Sequence, residues 1–129
     1  MNIENLIYLS VLRMGFDYYR IYVNLETPGD VYDKFKTTKL IGENEVVDKP
    51  LKYEFITSFK KEYLNIIRVD RNTLLDNSDK YMTIDYNHKS DEDKNKWLTY
   101  RQELRDFPEF LSNFLDQNGF LLDVPWPVK

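Results

Sequence analysis

The side chains that could do chemistry in this chain are few and scattered. His88 is the single histidine and sits between Asn87 and Lys89 in a polar stretch. General-base catalysis needs a nucleophile within hydrogen-bonding reach of the imidazole, and no neighbouring motif supplies one, so His88 reads as solvated surface. Asp91-Glu92-Asp93 puts three carboxylates in a row but lacks the glycine and the alternate ligand spacing of a calcium loop. Directly after Ser90 it fits the start of a helix, where carboxylates face the positive end of the dipole. With no cysteine in the chain, a thiol nucleophile, a thiolate metal site and disulfides are all excluded. Tyr18, Tyr19 and Tyr22 around Arg20 could stack on bases, yet alternating aromatics on a strand more often pack a core and a sheet face. A net charge of −4 and a pI near 5.0 argue against a binder driven by phosphate contacts. No catalytic residue, metal site or cofactor is expected.

Two polar cassettes carry more information. The first is Arg71-Asn72-Thr73-Leu74-Leu75 with Ser78-Asp79, and the second runs from Trp97 to Pro108 and contains Tyr100, Arg101, Leu104, Arg105, Asp106 and Phe107. Arg101 and Arg105 are one helical turn apart, and Trp97 lies one turn before Arg101. An arginine over an aromatic face, or paired with Asp70, Asp79 or Asp106, would clamp two helices together. The same residues could instead form a recognition surface for another protein. The spacing permits both, and the candidate partner-binding residues are Arg71, Trp97, Tyr100, Arg101, Arg105 and, in the closing Trp126-Pro127-Val128-Lys129, Trp126.

The elements that must position these residues follow from periodicity. At 129 residues the chain is most economically one domain. It reads as a strand-containing part over 1–60, a helical part over 61–118 and an extended arm over 119–129. Residues 3–13 are apolar without a clean period and are expected as a strand. Phe16 to Leu25 alternates, with Tyr19, Ile21, Val23 and Leu25 on one face, and Gly15 would allow the two runs to pair as a hairpin. Thr27-Pro28-Gly29-Asp30 ends that strand, a turn or short helix through Val31, Phe35 and Leu40 follows, and Gly42 to Glu45 forms a loop. From Pro50 apolar residues recur at three- and four-residue steps, predicting a helix of about two dozen residues. A break near Phe59 or Tyr63, with a strand over part of 52–58, is the alternative. Asn77-Ser78-Asp79 stops this helix and 80–90 is a polar connection. Ser90 with Asp93 three residues on predicts a helix start. Pro108 should end that helix and begin a short third one, closed by Asn118-Gly119. Two prolines at alternate positions make 120–127 extended. The fold class is therefore α+β, with N-terminal antiparallel strands, a C-terminal helical part and an extended Trp-Pro tail.

Ten tyrosines and eight phenylalanines exceed what a small core usually needs, so an aromatic interface is expected, compatible with an oligomer. No run approaches the ~18 to 20 apolar residues of a membrane span, and the N-terminus lacks the basic region of a signal peptide. Neither a membrane nor a nucleic acid is expected as a partner.

From about Arg68 to Lys129 the chain resembles the phage tail assembly chaperone family. The likeness rests on Arg71, Asn72, Leu74, Leu75, Ser78 and Asp79, on Trp97, Tyr100, Arg101, Leu104, Arg105, Asp106 and Pro108, and on Trp126-Pro127. The chain departs from the family pattern in having Lys80-Tyr81 where a tryptophan is common, and in the stretch Phe110 to Leu122 before the final Trp-Pro. The resemblance implies a non-enzymatic helper of tail or tail-fibre morphogenesis. Its implied partners are phage tail, tail-fibre or baseplate proteins, met in the host cytoplasm during assembly. The alternative is a structural component of the mature tail, baseplate or neck, and hence of the virion.

Overall fold

Short local signals and buried stripes together explain the elements seen in the computed structural model, which describes residues 2–121 and 123–129. The order is α1 (Ile3–Arg13), β1 (Arg20–Val23), a 3₁₀ turn (Val31–Lys34), β2 (Phe35–Ile41), β3 (Asn44–Val47), α2 (Lys52–Ser78), a second 3₁₀ turn (Asp79–Met82) and α3 (Asp91–Asn118). The class is α+β, and the chain divides into two compact units, Met1–Tyr63 and Leu64–Lys129.

In the first unit β1, β2 and β3 form an antiparallel sheet in sequence order. The β2–β3 connection is two residues long, since Ile41 faces Asn44 across it. Gly42, at φ +64, supplies the left-handed first position that such a hairpin needs for its twist to match the strands. Ile21 and Val23 point inward and Arg20 and Tyr22 outward, as alternation along Phe16 to Leu25 predicts. The strand itself is shorter than that run.

Residues 3–13 are a helix rather than the expected strand, and no hairpin forms about Gly15. The buried residues are Leu6, Ile7, Ser10 and Val11, a helical stripe obscured in the sequence because one member is polar. The Ser10 hydroxyl donates to the Leu6 carbonyl at 2.6 Å, which lets it enter the core satisfied. Asn2 caps the start by accepting from the Asn5 N–H at 3.0 Å. The Tyr8 hydroxyl donates to the Ile21 carbonyl at 3.1 Å, tying α1 to β1.

A file of rings fills the middle of this unit. Tyr32, Phe35, Phe55, Phe59 and Tyr63 follow one another at centroid distances of 5.7, 4.5, 5.7 and 6.4 Å between successive rings. Three of these sit at four-residue steps on α2, which is why that helix runs unbroken where a break was the alternative. It begins at Lys52, with Pro50 buried just before it.

In the second unit the helix expected to stop at Pro108 instead runs through it to Asn118. Leu104, Phe107, Leu111 and Leu115 make one buried stripe spanning the proline. An interior proline costs about 3 kcal/mol, whereas each buried large apolar side chain contributes about 1.5–3 kcal/mol. The stripe therefore outweighs the lost hydrogen bond. Gly119, at φ +78, closes α3 by donating to the Leu115 carbonyl.

Phe55 and Tyr53 give a sharp test on one helix, since Phe55 is 0% exposed and Tyr53 82%. Phe55→Ala is expected to lower stability by about 3–5 kcal/mol, and Tyr53→Ala by less than about 0.5 kcal/mol, in urea unfolding followed by circular dichroism.

Candidate functional site

α3 carries most of the candidate residues, and its start fixes their register. The Ser90 hydroxyl accepts from the Asp93 N–H at 3.1 Å, as the capping signature predicts. That places Trp97, Tyr100, Arg101, Leu104 and Arg105 along adjoining lines of the helix.

The two cassettes meet at Arg101. Its guanidinium donates to the Leu75 carbonyl at 2.9 Å and to the Ser78 hydroxyl, and it pairs with Asp79 at 2.8 Å. Leu75 belongs to the last turn of α2, whose final carbonyls have no backbone partner within the helix, and it also accepts from the Ser78 hydroxyl at 2.9 Å. That turn carries no basic residue of its own, so Arg101 brings from α3 the cation that the negative end of the dipole favours. The Arg101 side chain is only 11% exposed while Asp79 is 62% exposed, so the carbonyl and hydroxyl contacts outweigh the ion pair. One turn along, Arg71 donates to the Arg105 carbonyl at 3.2 Å and to Asn72 at 2.9 Å. Arg105 itself is exposed and reaches Gln102 on its own helix at 3.3 Å.

The aromatic members gather elsewhere. Trp97 stacks on Tyr81 with centroids 4.0 Å apart and an interplanar angle of 14°, and Tyr100 meets Trp97 edge-on at 6.0 Å. Tyr86 stands edge-on to Tyr81 at 5.0 Å and to His88 at 4.7 Å. The cation on Trp97 is a lysine rather than an arginine. Lys129 holds its ammonium 4.3 Å from the indole centroid and 2.8 Å from Asp93 Oδ1. Trp126 packs on Phe107 at 4.8 Å, and its N–H donates to the Val124 carbonyl at 2.9 Å, a tight turn about Pro125. Open depressions flank this segment. One of about 410 Å³ is lined by Leu74, Tyr81, Trp97 and Pro127 among others. A second of about 420 Å³ is lined by Asp70, Thr73, Leu74, Tyr100, Trp126 and Pro127.

The six candidates thus fall into an arginine seam (Arg71, Arg101, Arg105) and an aromatic seat (Trp97, Tyr100, Trp126). Residues 64–129 match the family model described as phage tail assembly chaperone protein, and the match is coextensive with the second unit. The chain belongs to the phage tail assembly chaperone family. No curated protein and no solved structure matches it. The role of a chain of this family lies in tail assembly, and the seam and the seat both lie in the unit that carries the likeness.

Tyr81, Asp93, His88 and Lys129 were not legible as part of this site. Tyr81 is the nearest to having been so, because it follows Ser78-Asp79 by two residues, close to where chaperone-family sequences commonly have tryptophan. His88 corrects its reading as solvated surface. The side chain is 11% exposed, and Nδ1 is buried without a hydrogen-bond partner, 3.7 Å from Asp93 Oδ2. Among the described residues no group of three acidic or histidine side chains could hold a metal ion.

The hydrogen bond from Lys129, reinforced by the charge of that ammonium, outweighs desolvation and holds the Asp93 carboxyl below its ordinary value. A depressed carboxyl contributes stability that is full above the unfolded-state value, about 3.9, and is lost as pH falls through the folded one. Acid titration of tryptophan fluorescence should therefore show the seat opening with a midpoint below about 3.9, a step absent in Lys129→Ala. On the seam, Arg101→Ala should cost about 2–3 kcal/mol against less than about 1 kcal/mol for Asp79→Ala, read by urea unfolding.

Proposed function

We propose that this chain serves tail or tail-fibre morphogenesis by binding a phage tail protein, without catalysis, in the host cytoplasm during assembly. Trp97, Tyr100 and the place that Trp126 fills on Phe107 supply the recognition face, Arg105 an exposed charge nearby, and Arg71 and Arg101 hold the helix pair that carries it. The observation behind this reading is the aromatic seat itself. Three large rings, partly exposed and bordered by open depressions, lie within the unit matched by the chaperone family. Tyr and Trp at such a place give large rigid contact area with a polar tip that tolerates water. Chaperone families of this kind are typically non-enzymatic, which fits a surface built from rings and hydrogen-bonded arginines.

Tagged full-length chain expressed during infection is expected to co-purify tail or tail-fibre proteins and to be absent from finished particles. Tyr100→Ala should reduce that recovery at least about tenfold, the consequence of losing about 1.4 kcal/mol, with an unchanged circular dichroism spectrum. Recovery of no tail protein, or equal recovery by the variant, would sink the reading.

A further inference from the structure

The segment 124–129, which brings Trp126 to the seat, lies against Asp93, Trp97 and Phe107 as a ligand would. Its hold consists of a few point contacts. The Lys129 ammonium sits between the Asp93 carboxylate and the Trp97 face, the Trp126 ring lies on Phe107, and Pro127 walls the depressions on either side. Val128 is 87% exposed and binds nothing tightly. The Lys129 side chain is 31% exposed, and ion pairs of that kind are weak. Two prolines keep the segment stiff, so little entropy is lost on seating it. The receiving groups are better fixed than the segment. Trp97 is stacked on Tyr81, and Asp93 is set on the first turn of α3 with the buried Nδ1 of His88 near its second oxygen. A carboxylate beside an indole face is an ammonium-recognising pair. The bordering depressions extend the surface beyond what the segment covers.

We propose that residues 124–129 are a releasable strap covering Asp93, Trp97 and Phe107 in cis, with Trp126 filling the place of a partner ring, and that the partner's segment has the same chemistry, an aromatic-proline pair followed by a lysine. The inference rests on the function proposed above and adds to it the partner's chemical class and a built-in competitor. A tethered strap acts at an effective concentration on the order of 1 mM. With an intrinsic dissociation constant on the order of 100 µM it suppresses a competitor about tenfold. A partner segment that also fills the open depressions makes contacts the strap lacks and displaces it.

The test uses a labelled, amidated peptide of residues 123–129 and the full-length chain. The peptide should bind the Trp126→Ala/Lys129→Ala double variant about tenfold tighter than the unaltered chain. Adding Asp93→Asn, or replacing the peptide lysine by norleucine, should remove that gain. Lys129→Ala alone, which leaves every buried side chain in place, should give a smaller gain in the same direction and serves if the double variant does not fold. Excess peptide should also elute tail proteins from immobilised chain. Equal binding to all forms, no binding to any, or failure to elute tail proteins that the chain has captured overturns the strap. Concentration-dependent dimerisation of the unaltered chain, abolished by Lys129→Ala, would give the seat to a second copy and likewise overturn it. Tyr100-dependent recovery of tail proteins with no peptide effect removes the strap and leaves the proposed function. Tighter peptide binding without any recovered tail protein does the reverse.

Discussion

A single guanidinium closes the second unit. α2 ends without a basic residue in its last turn, leaving carbonyls that need donors, and Arg101 reaches them from α3. The same head also binds the Ser78 hydroxyl and faces Asp79, so one side chain fixes the end of α2, the start of the following 3₁₀ turn and the register of α3. Everything else on this unit is set by that register. Trp97 lies one turn before Arg101 and meets Tyr81 only because the 3₁₀ turn at Asp79–Met82 brings that ring back over α3. Arginine suits the task because its planar fork serves several acceptors at once, which an ammonium on a flexible stem does not.

The first unit solves its packing problem by other means. The chain has no alanine, the best helix former, so its helices draw stability from buried side chains more than from propensity. A file of aromatic rings from Tyr32 through Phe35 to Phe55 and Phe59 links the 3₁₀ turn, β2 and α2. The Tyr32 hydroxyl donates to the Pro50 carbonyl at 2.6 Å, and the Lys49 ammonium stands 4.0 Å from the Tyr32 ring centroid. Desolvation there lowers the Lys49 pKa, so the cation–π contact has an opposing cost. Large rings, with the Tyr32 hydroxyl as their one polar tip, thus do the joining that disulfides do in other short domains.

The fold was legible where its signals were local. The Ser90 cap, the end at Ser78, the Gly119 stop and the inward face of β1 all follow from two to four neighbouring residues. It was not legible where burial overrode a local rule. Ser10 hid the stripe of α1 by being polar, and only its bond to the Leu6 carbonyl shows why it belongs inside. Pro108 hid the continuity of α3, because a lost donor weighs less than four buried side chains spread over three turns. At the site, the sequence offered Asp70, Asp79 and Asp106 as partners for the arginines without choosing among them, and could not tell that the Leu75 carbonyl matters more than Asp79 to Arg101. Lys129 was out of reach, since nothing in its neighbours connects it with Asp93 and Trp97.

The two kinds of cation on this unit differ in what they can commit to. Arg101 is almost fully covered and gives the Leu75 carbonyl and the Ser78 hydroxyl a charged donor that nothing else on the unit supplies among the described residues, so removing it weakens the join of the two helices. Lys129 is partly exposed, and its departure leaves Asp93 open to water and Trp97 still stacked on Tyr81. A contact whose loss strands nothing can be exchanged for another of the same chemistry at little cost. Permanence at the seam and exchangeability at the seat are therefore consequences of what each cation leaves behind, and the function proposed above, holding a partner during assembly and then releasing it, would draw on both in one unit.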